Sequence, residues 1–177
     1  MGIHPAVERS AEEVEALYQA HGRVLWARLY AQCCDRELAR EALHEAFVRL
    51  YGTGATEIEN LPAWLLAVAR NWLRDAARQN GRLARTPFPL DALTGAAAEP
   101  AEIMGARELR GQVRDALARL READREILVL RYALDWPSQR IADELGSNAA
   151  AVDMRLSRAR QRLAQALDRL GVGRETV

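Results

Sequence analysis

At 177 residues the chain suits one compact domain or two small ones, and its 49% hydrophobic content excludes disorder throughout. Aromatics make up 6% and Ala and Leu outnumber Val and Ile, which favours helix over strand. Formal charge is zero, and the longest apolar run, Ala63 to Ala69, is too short to cross a bilayer, so membrane insertion is excluded and a cytoplasmic protein is expected.

Val14, Leu17, Tyr18, His21, Leu25 and Leu29 recur at three- and four-residue steps and predict a first helix. A second runs through Leu38, Ala42, Leu43, Ala46, Phe47, Leu50 and Tyr51, with Asp35 as its start signal and Gly52 as its stop. Between them lie adjacent cysteines, Cys33 and Cys34, which exclude a disulfide framework. His21 and His44 are near, but neither CxxC nor HxxxH spacing is present, so the pair reads as small apolar filler. No metal site and no cofactor are expected.

After a loop ending near Leu61, Pro62 is placed to open a third helix, whose apolar face holds Leu65, Val68, Ala69, Trp72, Leu73 and Ala76. Asn80-Gly81 ends it. From Leu83 the pattern collapses into Pro87, Pro89, Gly95 and Pro100, the composition of a linker. Leu109, Val113, Leu117 and Leu120 then predict a helix, and Asp124 is placed to cap the next. A short helix follows Pro137, carrying Ile141, Ala142 and Leu145. Gly146-Ser147-Asn148 makes a tight turn, with Asn148 as cap, and Val152, Leu156, Ala159, Leu163, Leu167 and Leu170 continue at steps of three and four. Helix, glycine turn and helix is the helix-turn-helix layout. At 100° per residue, Ala150, Met154, Ser157, Arg158 and Gln161 lie opposite that apolar stripe, flanked by Asp153 and Arg155.

Every basic side chain is arginine, and the signs are segregated. Residues 1–60 hold six Arg against ten acidic residues, 61–85 five against one, 86–106 none against three, and 107–177 fourteen against eleven. Two separated positive segments suit a long polyanion touched twice, and the acidic ones a basic protein partner; solvated helix faces are the plain alternative. Arg70, Arg74, Arg78, Arg82 and Arg85 step four, four, four and three, a guanidinium ridge on one helix edge suited to phosphates. Asn71 can bond a base edge, and Trp64 and Trp72 offer stacking surfaces, although at helical spacing core packing is the favoured use of both. Arg155, Arg158, Arg160 and Arg162 lie in eight residues without an acid, a second phosphate-gripping set.

Five stretches carry a family likeness. Glu41 to Leu50 (EALHEAFVRL) is similar to DLVQEAFLRL, Ala63 to Asn71 (AWLLAVARN) to AWLYRIARN, and Asp124 to Tyr132 (DREILVLRY) to DREVLLLRY. Ile141 to Gly146 (IADELG) and Arg155 to Arg160 (RLSRAR) resemble IAEILG and RLHRAR. In this order, with a Pro-rich linker between, they make the chain resemble the extracytoplasmic-function sigma factors over nearly its whole length.

The resemblance implies an all-α protein of two small helical domains. Residues 1–82 would form sigma region 2, residues 83–104 a flexible linker, and residues 105–177 a region 4 helix-turn-helix. It implies binding to core RNA polymerase at the clamp and flap, promoter-specific initiation and promoter opening. Glu41, His44, Glu45 and Arg49 would meet the polymerase. Asn60, Trp64, Arg70, Asn71, Arg74, Arg78 and Arg82 would hold the minus-ten element. Asn148, Ala150, Asp153, Met154, Arg155, Ser157 and Arg158 would read the minus-thirty-five element. Family members are often held by an anti-sigma factor, a further candidate partner.

Four positions depart from the family pattern. Glu41 stands for Asp, His44 for Gln, Pro137 for a serine cap, and Asp153 for a basic residue. Asp153 repels phosphate but can accept from cytosine N4, which predicts an unusual minus-thirty-five preference or weak use of that element. The competing reading is a stand-alone helix-turn-helix regulator, which leaves the acidic helix and the first arginine ridge unexplained. An enzyme is not expected: His44-Glu45 begins a zinc-protease motif, but Val48 stands where the second histidine must be.

Overall fold

The computed structural model describes residues 10–52, 58–80 and 100–172, and all seven elements among them are α-helices. Arg82, Arg85, most of the expected linker and residues 53–57 lie outside the described residues. The chain divides into two compact units, residues 1–84 and 85–177.

Unit 1 holds α1 (Ala11–Cys33), α2 (Arg36–Gly52) and α3 (Leu61–Asn80), each packed on the other two. A capping box starts α1: Ser10 Oγ accepts from the Glu13 amide at 3.1 Å, and Glu13 Oε2 from the Ser10 amide at 3.0 Å. Cys34 ends it in the left-handed region, φ 54°. Asp35 then caps α2, its Oδ1 accepting from the Glu37 and Leu38 amides at 2.9 and 3.1 Å. This two-residue corner makes α1 and α2 a helical hairpin.

The unit 1 core sets Leu25, Leu29, Leu43, Phe47, Leu50, Leu65 and Leu73 among fully buried Ala39, Ala42, Ala46 and Ala69. The alanines let the helix backbones approach closely, while the leucines and Phe47 supply the apolar area. Tyr18 sets its ring edge-on to Phe47, centroids 5.2 Å apart.

The start of α3 differs by one residue from the sequence expectation. Leu61, not Pro62, is the first helical residue, because Asn60 is the cap: its Oδ1 accepts from Ala63 N at 3.0 Å. Pro62 falls second, where the missing amide still costs no intrahelical bond.

Unit 2 holds α4 (Pro100–Ala118), α5 (Glu122–Tyr132), α6 (Ser138–Leu145) and α7 (Ala149–Arg169), the first three all packed on α7. The first helix begins at Pro100, inside the span expected as linker. Proline's fixed φ and absent donor suit a first helical position. Ile127, Leu130, Ile141, Val152 and Ala159 are fully buried at the centre.

Asp124 is not the cap of α5. Arg121 stands at the cap position without a side-chain bond, and Asp124 lies in the first turn, 9% exposed, accepting from Arg162 Nη1 of α7 at 2.6 Å. Arg125 Nη1 donates to Leu120 O at 2.9 Å, closing the α4–α5 corner. Arg131 Nη1 donates to Trp136 O at 2.8 Å, and the Arg140 guanidinium lies 4.2 Å over the buried Trp136 ring.

Candidate nucleic-acid and partner surfaces

Three surfaces gather the residues singled out in the sequence. On α3, Asn71, Arg74 and Arg78 are exposed and Arg70 is half-buried. Arg74 Nη2 donates to Asn71 Oδ1, and Arg74 Nε donates to Arg70 O at 3.3 Å. The Asn71 carboxamide thus faces one of its neighbours with its oxygen and keeps amide donors for another group. Arg78 pairs with Asp75 at 3.3 Å, both side chains well exposed. Such pairs contribute about 0–1 kcal/mol, so exchanging Asp75 for a phosphate is cheap. Asn60 is exposed, but its side-chain oxygen is taken by the cap of α3. Trp64 and Trp72 are half-buried against the unit 1 core, the use that helical spacing favours.

On α2, Glu41, His44, Val48, Arg49 and Tyr51 are exposed. Glu45 accepts from Arg49 Nε at 2.7 Å, one turn on. Tyr18, Arg40, Glu41, His44, Glu45 and Trp72 line a shallow hollow of about 570 Å³. Three of the four residues expected to meet a partner therefore share one concavity, bounded by two aromatic rings. Val48 and Tyr51 extend the same face with large exposed apolar groups, the mixture of anchors and charges that protein interfaces use.

In unit 2, Gly146 ends α6 in the left-handed region at φ 60°, and Asn148 caps α7 by accepting from Ala151 N at 2.8 Å. Ala150, Asp153, Met154, Ser157 and Arg158 are exposed on one side of α7, while Val152, Leu156 and Ala159 are buried on the other. Arg155 is half-buried. Two contacts escape sequence reasoning. Ser138 Oγ of α6 donates to Asp153 Oδ1 of α7, so one carboxylate oxygen is held against the neighbouring helix. Arg162, counted as a phosphate contact from its spacing, is bound to buried Asp124 instead, because an unpaired interior carboxylate is costly. Partners 15 and 38 residues apart leave no local pattern to read.

At the α1–α2 corner, Cys33 Sγ donates to Asp35 O at 3.1 Å, and burial pushes the thiol up to about 12. It is a protonated thiol at neutral pH, in keeping with filler at a helix end.

Residues 17–83 match the family model described as Sigma-70 region 2, and residues 110–163 that described as Sigma-70, region 4. The chain is 30% identical to the ECF RNA polymerase sigma factor SigL of Mycobacterium tuberculosis, over 97% of this chain and 98% of the relative. The chain belongs to the ECF RNA polymerase sigma factors. The same bacterium's SigG is 29% identical over 92% of this sigma factor and 50% of its own length. The probable RNA polymerase sigma factor RfaY of Xanthomonas campestris pv. campestris is 30% identical over 80% of this chain and 39% of its own. The region 2 match covers the acidic helix and the α3 arginines, which a stand-alone regulator leaves unexplained. Among the described residues of this sigma factor no helix is long and apolar enough to cross a membrane.

Proposed function

We propose that this sigma factor joins core RNA polymerase through the outer face of α2 and engages promoter DNA through α3 and α7. Glu41, His44, Glu45 and Arg49, with the adjoining hollow, are the contacts for the polymerase clamp. Arg70, Asn71, Arg74, Arg78 and Arg82 hold the strand of the minus-ten element, with Asn60 and Trp64 at its edge. Asn148, Ala150, Asp153, Met154, Arg155, Ser157 and Arg158 form the minus-thirty-five face, and unit 2 also meets the polymerase flap. Residues 1–82 act as one functional domain and the helices from α4 onward as the other, joined by the segment that precedes α4, in the cytoplasm. Polymerisation chemistry belongs to the partner; the sigma factor contributes positioning and strand capture, and an anti-sigma factor would block these faces.

The observation that carries this reading is the exposed Asn71–Arg74–Arg78 array on α3. Among the described residues Arg78 is tied to the exposed Asp75 carboxylate and Arg74 to the exposed Asn71 side chain and the Arg70 main-chain carbonyl, and phosphates can replace the side-chain partners. The deciding experiment is run-off transcription on a promoter library by core polymerase with and without the chain. Start sites used only in its presence are expected, and R74A/R78A should abolish opening while E41R/R49E abolishes co-purification with core polymerase. Free high-affinity duplex binding without polymerase would instead favour a stand-alone regulator.

A further inference from the structure

The front of α7 is poor in hydrogen-bond donors. Between the Asn148 cap and Ser157, the exposed positions on this helix are Ala150, Asp153 and Met154, and none offers a side-chain donor. No exposed position there carries the arginine, lysine, asparagine or glutamine side chain that reads guanine and adenine edges, and Arg155, in the same stretch, is half-buried. Ala150 and Met154 stand one turn apart and so lie one above the other on the same face. Met154 is 55% exposed, although Val152 and Leu156 on either side are 0% and 5% exposed. A long apolar side chain is therefore held in water beside Ser157 and Arg158, which carry the polar part of the same face. The apolar feature of a major groove is the C5-methyl of thymine.

We propose that Ala150 and Met154 form an apolar strip that reads the C5-methyl group of one thymine in the minus-thirty-five element. This rests on α7 being the recognition helix and names what its first turns recognise. Met154 supplies the adaptable surface, since an unbranched thioether moulds to a methyl group. Ala150 keeps the preceding turn slim enough for the helix to approach. Asp153, its Oδ1 held by Ser138, presents an acceptor beside the strip, so the front of the helix favours pyrimidine edges.

The test replaces each thymine of the minus-thirty-five element in turn by deoxyuridine, which removes only the methyl, and measures promoter binding by the full-length chain in holoenzyme. At one position the wild type should lose about fourfold, the worth of one buried methyl group. M154A should bind the two duplexes equally, and M154L should restore the preference. R158A should weaken both duplexes alike; if it has no effect and holoenzyme shows no minus-thirty-five dependence, the recognition-helix reading fails and this proposal with it. If R158A does weaken binding but the wild type ignores every methyl, or M154A keeps the thymine preference, the strip is not the reader. If M154A impairs assembly with core polymerase and leaves the thymine preference intact, Met154 is a protein contact and the proposal is overturned.

Discussion

Arg162 and Asp124 are unequal partners, and the inequality is measurable. Asp124 is buried, whereas the Arg162 side chain is 46% exposed. Removing the arginine strands a carboxylate in the interior; removing the aspartate frees a guanidinium that water can reach. R162A should therefore destabilise unit 2 by about 1–3 kcal/mol, and D124A by less, in denaturant unfolding. Equal costs would mean that the pair acts by packing alone. Cys33 gives a second prediction at this scale. Its pKa rises from 9.0 to about 12, mainly by burial, so the folded state holds the proton more tightly than the unfolded one. The stabilisation is complete below pH 9 and is lost as pH climbs towards 12. C33A should flatten that alkaline loss in a pH series of thermal melts. At pH 8 iodoacetamide should label Cys33 far more slowly in the native chain than in the unfolded one.

Two helix starts decided by a single side chain, at Asp35 and Asn148, were legible, whereas the Asn60 cap of α3 was masked by the neighbouring Pro62. Asp35 and Asn148 each bond amides two or three residues ahead, a local geometry that a one-dimensional pattern records. Gly146 is legible for its backbone: nothing lies within 4 Å of where its Cβ would sit, so conformation and not space requires glycine. G146A should cost about 1–2 kcal/mol in unfolding of the helix-turn-helix, since an L-residue resists φ near 60°. Asp124 misled because a carboxylate just before an apolar run looks like a cap whether it faces the amides or the interior. What decides between them is Arg162, contributed by another helix, and tertiary pairing has no local signature. The α7 face was legible from its 3.6-residue period, which separates buried Val152, Leu156 and Ala159 from exposed Ala150, Met154 and Arg158. The Ser138–Asp153 bond was not, since it depends on how α6 crosses α7.

For the whole molecule, zero net charge means that long-range attraction to DNA is weak, and affinity must come from local concentrations of arginine. The segments that contain α3 and α7 are both basic, while residues 1–60, which contain α2, are acidic. Local phosphate contacts announce themselves in salt dependence, because each neutralised phosphate releases condensed counterions. If α3 grips a single strand, R70A/R74A/R78A should lower the slope of log affinity against log salt by about 2 in open complexes of the holoenzyme. If α7 sits on duplex, R155A/R158A should lower it by a similar amount, about 2, in closed complexes as well. If both hold, the two sets should also add, because they belong to separate units. An α3 variant that leaves the open-complex slope unchanged would show that its arginines serve the fold of unit 1. That outcome would leave strand capture to Asn71 and the aromatic groups alone. A slope lost equally in open and closed complexes would instead place α3 on duplex DNA, which binds without needing an unstacked base.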